Sequence, residues 1–390
     1  MRRQSPTRYR ALPRFALFTL SLVLAACQSA PLPVPTRTPV QTREALITVT
    51  TVPTPEAAFA ATSQLLPAST PQPTATPPPT DTPSATATPQ PTDTPTTTAA
   101  PDLLAALSIE ALRARSYPGG PIAIVRTLEV TPAFTRAQIA YPSDGLRITG
   151  IMNIPSGAGP FPVIILNHGY VTPPSVSGTY LRDYADYYAS WGYLTISPDY
   201  RGYGGSDEGD NAFRIGYAID VLNLVSSVQT LPQADASRIG MWGHSMGGGI
   251  STYVMVIDPR VKAFVLYAAM SADAAENWRH IRTMWDRSGP DEWAQWIGGT
   301  PDELPEVYAR LSPIHYLEYV RAPVSIHHGE ADDQVPPAWS ADLARRLQGV
   351  GAIVEYYSYP GAPHSFRGDD WRLFMERTLA FFDRYVKNGG

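Results

Sequence analysis

The sequence predicts an α/β fold: a doubly wound, mainly parallel β-sheet with helices on both of its faces. Strand-like and helix-like runs alternate from residue 161 to residue 386, and such alternation implies right-handed crossovers between parallel strands. The run at 161–167 is apolar almost throughout, as expected for a strand buried on both faces. Residues 238–249 combine a short apolar strand, a Gly-x-Ser-x-Gly turn and a helix start rich in small residues.

The remaining elements follow from local patterns. Ahead of the alternation lie three β-rich runs separated by turn residues, which we expect to be antiparallel strands: 122–130, 135–141 and 146–154. We expect helices from apolar periodicity at 103–115, 181–191, 213–231, 246–257, 338–347 and 371–386. The other expected strands are 193–197, 261–268, 324–328 and 354–359.

Composition places the folded core in the second part of the chain. All eight tryptophans lie between Trp191 and Trp371 of the 390 residues. The net charge of −5 gives no basic footprint for nucleic acid. Cys27 is the only cysteine, so an intramolecular disulfide is impossible.

The N-terminal residues have the pattern of an export signal. Residues 1–14 carry five arginines and no acidic residue, and residues 15–26 form an uncharged apolar run too short to span a bilayer comfortably. The run ends in Leu24-Ala25-Ala26-Cys27, which resembles the lipobox of bacterial lipoproteins. That resemblance implies a signal at 1–27 and a lipid-anchored Cys27 on the extracellular face of the cell membrane. An ordinary secretory signal or an uncleaved anchor is the alternative.

Residues 28–100 are expected to be a disordered linker. Pro, Thr, Ser and Ala dominate this stretch, and Phe59 is its only aromatic residue. Such a composition buries too little apolar surface to offset the entropy of ordering. Its repeated Thr-Pro steps favour an extended spacer. The globular domain is therefore expected to occupy 101–390.

The Gly-x-Ser-x-Gly turn makes Ser245 the candidate nucleophile. In a nucleophile elbow a sharp strand-to-helix turn holds a serine hydroxyl above the end of the sheet. Gly243 and Gly247 flank the serine, where side chains would collide with strand and helix. The alternative is a glycine-rich turn that contains a serine by chance, so the chain must also supply a base, an acid and an oxyanion hole.

Residues of suitable type follow in the expected order. A serine hydroxyl needs a base to take its proton and a third group to orient that base. In this arrangement the chain order is serine, acid, histidine. Asp332 and its neighbour Asp333 follow the expected strand 324–328, and His364 follows the strand 354–359. A solvated loop histidine and an exposed turn carboxylate are the alternatives.

The region from about 122 to 387 resembles an α/β-hydrolase, in particular the catalytic domains of prolyl-oligopeptidase (dipeptidyl-peptidase-like) enzymes and related bacterial esterases. The motifs that carry the resemblance are His168-Gly169, Asp199-Tyr200-Arg201-Gly202, Gly243-His244-Ser245-Met246-Gly247, His328-Gly329-Glu330-Ala331-Asp332-Asp333-Gln334-Val335-Pro336 and His364. It implies serine hydrolase chemistry and an acid at Asp332. Tyr170-Val171 stands where these peptidases usually have glycine and proline, and no room is left for their β-propeller, which leaves peptidase specificity open.

The oxyanion hole requires backbone N–H groups aimed at the tetrahedral intermediate. We expect one from Met246, the residue after the nucleophile, and the other from Tyr170, in the loop after the first parallel strand. His168 is expected to support that loop or to be merely structural. His327 and His328 alternate on a strand and face opposite sides, so they make a poor metal pair. We expect no metal site, no phosphate loop and no cofactor.

An insertion at 271–320 interrupts the alternation where caps commonly enter this fold. It carries Trp278, Trp285, Trp293 and Trp296. It is either an extra packed subdomain or a hydrophobic lid over the acyl or leaving-group pocket, and the two are compatible.

The sequence as a whole predicts a membrane-anchored extracellular serine hydrolase that cleaves a carboxylic ester or a short peptide through an acyl-enzyme. A serine peptidase of prolyl-oligopeptidase type is the alternative within the class. A non-catalytic surface binding module on the same fold is the alternative outside it. The sequence does not define the oligomeric state.

Overall fold

The structure is a computed structural model that describes residues 100–389 except 176, 285–293, 295 and 296. The expected signal with Cys27, the expected linker up to residue 99, and three of the four cap tryptophans (Trp285, Trp293 and Trp296) therefore lie outside the described residues.

The described residues form a nine-stranded sheet in the order β1-β2-β3-β5-β4-β6-β7-β8-β9. The strands are β1 (Ala123–Val130), β2 (Phe134–Ser143), β3 (Leu146–Pro155), β4 (Phe161–Asn167), β5 (Leu194–Pro198), β6 (Ala234–His244), β7 (Val261–Tyr267), β8 (Val324–Gly329) and β9 (Val354–Tyr359). β1 pairs antiparallel with β2, β2 pairs antiparallel with β3, and β3 pairs antiparallel with β5. From β5 to β9 all pairs are parallel. The predicted mainly parallel sheet is confirmed.

Helices connect the strands and cover both faces of the sheet. They are α1 (Ala100–Leu107), α2 (Ile109–Ala114), α3 (Ser177–Tyr180), α4 (Arg182–Ser190), α5 (Ile215–Val228), α6 (Met246–Ile257), α7 (Ala274–Met284), α8 (Pro305–Arg310), α9 (Pro337–Gly349) and α10 (Gly368–Phe382), with a short π-helical turn at Asp383–Lys387. None of the helices that the structure describes is long and apolar enough to cross a bilayer.

Two predicted helices differ from the structure for local reasons. The helix expected at 103–115 is two helices, because Ser108 takes an extended conformation and its hydroxyl caps the second by accepting from Ala111 N. The helix expected from residue 213 begins only at Ile215. Phe213 and Arg214 both have positive φ, at 52° and 64°, which no α-helix accommodates.

The core lies on the two faces of the sheet. One face packs α5 and α6 against residues such as Ile165, Met241 and Leu266, and the other packs α4 and α10 against Trp242 and Val265. All five of these side chains are completely buried. Because the parallel strands run the same way, the loops that follow β4, β6, β8 and β9 meet at one edge, and every predicted catalytic residue lies there.

Candidate active site

Ser245 occupies a strained turn between β6 and α6. Its φ of 55° and ψ of −120° are unusual for a residue with a side chain, and such strain costs about 1–3 kcal/mol that the surroundings must supply. The surroundings fix the turn from both sides: Ser245 N donates to Tyr267 O over 3.0 Å, and Met270 N donates to Ser245 O over 3.0 Å.

The glycines of the turn are required by close packing. A Cβ at Gly243 would overlap Gly247 O, and a Cβ at Gly247 would overlap Asn167 O. A Cβ at Gly248 would lie 2.5 Å from the Cβ of Ala269. The helix therefore approaches β4 and the segment after β7 more closely than any side chain would permit, which carries Ser245 to the end of the sheet.

The loop after β4 passes directly beside the serine. A Cβ at Gly169 would lie 3.2 Å from the Cβ of Ser245 and 2.5 Å from the hydroxyl of Tyr180. Tyr170 follows Gly169 in this loop, and Met246 begins helix α6 on the other side of the serine. Tyr170 and Met246, the two residues predicted to form the oxyanion hole, thus lie in segments on either side of Ser245.

His364 and Asp332 are hydrogen-bonded to each other. The Nδ1 of His364 lies 2.7 Å from Oδ2 of Asp332, and the carboxylate is completely buried. Because a carboxylate only accepts, Nδ1 carries the proton and Nε2 is left as the basic nitrogen. Asp333, the alternative acid, is exposed to solvent. The geometry favours Asp332 as the partner of the histidine.

The backbone ties the acid loop to the base loop. Glu330 N donates to Tyr359 O, and Ala331 N donates to Ala362 O, each over 3.0 Å. A Cβ at Gly329 would overlap Ala362 O. The two loops therefore pack backbone to backbone, which fixes the separation of Asp332 and His364.

His328 is a further partner of Asp332 that the sequence did not predict. Its Nε2 lies 3.0 Å from the same Oδ2 of Asp332 and 3.1 Å from Val335 O, and its Nδ1 lies 2.6 Å from the Ser340 hydroxyl. Both partners of Nε2 only accept, so Nε2 carries the proton, and in the neutral ring Nδ1 accepts from Ser340. Its position four residues before the acid, at the end of a strand, is the signal that could have revealed it.

The buried carboxylate is held in its charged form. Burial by itself raises the pKa of Asp332, but hydrogen bonds from His328, His364 and the backbone N–H of Val335 outweigh it and hold that pKa well below its usual range. The N–H groups of Gln334 and Val335 both donate to Oδ1 over 2.9 Å. Asp332 therefore stays negative and can stabilise a positive charge on His364.

His244, which precedes the nucleophile, forms a second support that the sequence did not reveal. Its Nε2 donates to His364 O over 3.1 Å, and its Nδ1 accepts from the Tyr180 hydroxyl over 2.5 Å. Its ring lies 4.7 Å from the His364 ring and 4.3 Å from the Tyr267 ring, centre to centre. Burial is the largest of the effects that lower the pKa of His244 to about 3. This neutral ring therefore supports the backbone of His364 and the neighbouring loop.

The other histidines in the fold interior are structural. His168 lies within hydrogen-bond distance of Gly169 O and Asp199 O and stacks on Tyr200, so it supports the loop after β4. His327 faces away from His328 and contacts aromatic rings on the opposite side of the strand. Burial lowers the pKa of both His168 and His327. Among the described residues no cluster of His, Cys, Asp or Glu is arranged to hold a metal ion.

A cavity opens next to Met246, the residue that follows Ser245. It holds about 20 Å³ and is lined by α6, by the cap helix α7 and by the turn that precedes α5. Met246, Ile250, Met270 and Ile281 give it a largely apolar wall. Trp278 of the predicted cap packs against the core rather than lining this cavity.

Comparison with known proteins agrees with this geometry. The profile of the prolyl oligopeptidase family matches residues 180–389, which is more than half of the chain. An uncharacterized peptidase of Bacillus subtilis (strain 168), YtmA, is 27% identical over 255 residues, which cover 64% of this chain and 92% of that protein.

Solved structures share the fold. Pyrococcus horikoshii acylaminoacyl peptidase superposes with a TM-score of 0.54 at 25% identity, over 65% of this chain and 42% of that chain. The chain thus spans less than half the length of that peptidase. Acetyl xylan esterase 1 from Thermoanaerobacterium sp. JW/SL YS485 superposes with a TM-score of 0.52 at 20% identity, over 72% of this chain and 92% of that chain. The α/β-hydrolase fold expected from the sequence is confirmed, and the chain belongs to the prolyl oligopeptidase family and is a serine hydrolase of that family.

Proposed function

We propose that the protein cleaves a carboxylic ester of small size through an acyl-enzyme, with Ser245 as nucleophile, His364 as general base and acid, and Asp332 as the group that orients His364. The observation that carries the proposal is the 2.7 Å hydrogen bond between His364 Nδ1 and the buried Asp332 carboxylate. It lies at the sheet edge that also holds the strained Ser245. The binding-module alternative is set aside, because membership of the family makes the chain an enzyme.

The reaction follows from the groups present. As Ser245 Oγ attacks the ester carbonyl carbon, His364 Nε2 takes the hydroxyl proton, and the carbonyl oxygen becomes an oxyanion. The backbone N–H groups of Met246 and Tyr170 donate to that oxyanion. When the C–O bond breaks, His364 returns the proton to the leaving alcohol. Water then attacks the acyl-enzyme by the same steps, releases the acid and restores the serine.

Each supporting residue has a place in this cycle. The charged His364 that forms in the first step is stabilised by the Asp332 carboxylate, whose pKa is held low by its hydrogen bonds. His328 keeps that carboxylate in place. His244 holds the backbone of His364 and remains neutral, so it does not compete for the serine proton.

An ester is preferred over a peptide on chemical and structural grounds. Esters are intrinsically easier to cleave than amides. The described wall of the cavity beside Met246 is mostly apolar, and it contains Arg214 but no carboxylate to anchor a peptide amine. Apolar walls of this kind suit the acyl or alcohol part of an ester.

A serine peptidase is the second candidate, and the family match and the Bacillus subtilis relative favour it. The purified protein separates the two when kcat/KM is measured for short-chain p-nitrophenyl esters and for aminoacyl-p-nitroanilides, including Pro- and Ala-linked dipeptides. We expect the esters to be cleaved much faster. Release of nitroaniline at rates that match the esters would establish the peptidase instead.

We also propose that the protein is anchored by lipid at Cys27 on the extracellular face of a bacterial membrane. The support is the sequence of residues 1–27 alone: the arginine-rich start, the short apolar run and the cysteine at the lipobox position. Mature protein should begin at Cys27 and partition with membranes, and Cys27→Ser should release it. An unmodified Cys27 in the mass spectrum of the mature protein would refute the anchor.

A further inference from the structure

A groove lies at the end of the sheet where the parallel strands begin, opposite the end that carries Ser245. Its described lining includes Arg238, Lys262, Arg321 and Ile353. Its volume of about 510 Å³ suits a small-molecule ligand. Strand β7 runs for seven residues from this groove toward the loops of the catalytic site, so the two are about 20 Å apart. The groove is therefore separate from the catalytic site.

Four neighbouring strands contribute to the groove. Arg238 lies in the first half of β6, Lys262 is the second residue of β7, Arg321 lies three residues before β8, and Ile353 directly precedes β9. These strands are adjacent in this order, and Val324 N of β8 donates to Ile353 O over 2.9 Å. The three cations therefore follow one another across the sheet, and the apolar Ile353 lies beyond them at the edge strand.

The groove carries uncompensated positive charge. Arg238 Nε is paired with Asp235 over 2.7 Å, so the charge of this arginine is largely neutralised. Lys262 and Arg321 form no ion pair with any described residue, and the described lining of the groove contains no carboxylate. The Arg321 guanidinium donates through Nη1 to two backbone carbonyl groups. Within the described chain its Nε and Nη2 have no partner, and two adjacent N–H groups of this kind match a carboxylate or a phosphate.

Apolar side chains supply most of the remaining described lining. Ile353 exposes 56% of its surface, and Pro323, Tyr385 and Val386 also line the groove. Single exposed apolar residues are common on protein surfaces, but here they surround a cavity of ligand size. Apolar walls with a few polar or charged groups are the usual composition of a site for a small molecule. The combination fits a molecule that joins an anionic group to an apolar body.

We propose that this groove binds a small amphiphilic anion, whose charged group lies between Lys262 and Arg321 and whose apolar part packs against Ile353 and Tyr385. Strands β7 and β8 are neighbours in the sheet, so both cations reach the same carboxylate or phosphate group. Neither cation gives up an ion pair with a described residue when it binds such a group. Because the groove and Ser245 lie at opposite ends of the sheet, this ligand and the ester occupy separate sites.

The test is isothermal titration calorimetry of the full chain with octanoate and octyl phosphate, which carry the two candidate anionic groups on the same apolar chain. We expect the tighter of the two to bind at least about tenfold more tightly than octan-1-ol, which lacks the charge. It should also bind at least about tenfold more tightly than acetate or inorganic phosphate, which lack the apolar chain. Octan-1-ol that binds as tightly as the anions, or no binding by either anion, would overturn the proposal.

Variants assign the binding to the groove. Lys262→Glu and Arg321→Glu alter exposed side chains, so the melting temperature should be retained while the affinity for the anion falls at least about tenfold. Ile353→Ala should lower the affinity at least about fourfold, the effect of one buried CH₂ group. Arg372→Glu is the matched control, because Arg372 is an exposed residue of α10 that pairs with Asp369 and does not line the groove. An equal loss in Arg372→Glu, or an unchanged affinity in the three groove variants, would overturn the proposal.

Discussion

The sheet edge that carries Ser245, Asp332 and His364 and the cap at 271–320 are built in different ways. At the sheet edge the backbone itself sets the geometry: Ser245 N and O are both hydrogen-bonded, and the acid and base loops are tied through Ala331 and Ala362. Side chains hold much of the described cap instead, for example through Ala274 N donating to Ser312 Oγ over 2.8 Å and the Tyr253 hydroxyl donating to Leu311 O over 2.9 Å. Backbone hydrogen bonds thus help to position the loops at the sheet edge, whereas side-chain hydrogen bonds hold parts of the described cap.

The comparison implies that substitutions at the sheet edge change the rate for every substrate, whereas cap substitutions change preference among substrates.

The largest effect is expected for the residues that carry out proton transfer and bond formation. Ser245→Ala and His364→Ala should each lower kcat by about 10⁵-fold or more. Steady-state kinetics with a short-chain ester gives the loss, and an unchanged melting temperature shows that the fold persists. Substantial residual turnover in Ser245→Ala would place the nucleophile elsewhere.

Substitution of Asp332 should lower kcat less than substitution of His364. Asp332→Asn keeps the shape but loses the charge that stabilises His364, and we expect a loss in kcat of about 10⁴-fold. Asp333→Asn is the matched control, because Asp333 is exposed and its neighbour holds the histidine. Kinetics of the two variants side by side settles the assignment. A greater loss in Asp333→Asn would show that the acid is assigned to the wrong carboxylate.

His328 should have an intermediate effect, because it acts through Asp332. A hydrogen bond to a charged group contributes about 1.5–3 kcal/mol, which corresponds to roughly a 10- to 160-fold loss in kcat for His328→Leu. KM should change little. His328→Gln retains an N–H donor and should recover part of the rate. Equal losses in the two variants, or a loss confined to KM, would argue that His328 only packs.

The smallest effect concerns stability and pH. Burial lowers the pKa of His168, His244 and His327, for His244 to about 3. In the unfolded chain each ring binds a proton near pH 6.5, so below that pH the unfolded state binds more protons and stability falls as pH falls. Each of these histidines lowers the free energy of unfolding by up to about 1.4 kcal/mol for each pH unit below its unfolded-state pKa. Denaturant unfolding should give a lower free energy of unfolding at pH 5.5 than at pH 7.0.

Two variants can show which histidines cause the pH dependence of stability. His327→Gln should reduce the loss of stability between pH 7.0 and 5.5, because His327 is completely buried. His315→Gln should leave it unchanged, because His315 is exposed. A loss that is the same in both variants would show that other groups dominate the pH dependence.

The sequence was sufficient to predict the parts of the fold and site that local backbone geometry determines. The Gly-x-Ser-x-Gly pattern around Ser245 predicted a strand-to-helix turn, because only glycines permit the contacts of Gly243 and Gly247 with neighbouring backbone. The helix at 246–257 and the strand at 354–359 were predicted with the bounds that the structure shows. These elements depend on local patterns that any reader of the sequence can recognise.

The sequence was insufficient where long-range contacts determine the arrangement. The contact of His328 with Asp332 depends on the way the loop folds back, so its position four residues before the acid suggests the contact but does not determine it. Phe213 and Arg214 were predicted as helical and are not, because tertiary packing holds them in the left-handed region. Both exceptions lie at the site, where strain is most often retained.

The most direct test of the account is labelling of the purified protein with a fluorophosphonate, followed by peptide mass spectrometry. The reagent forms a stable bond only with a serine activated by a neighbouring base. We predict a single adduct on Ser245, formed with one equivalent of reagent, absent in Ser245→Ala and strongly slowed in His364→Ala. An adduct on another residue, or no adduct in a folded protein, would contradict the assignment of Ser245 and His364.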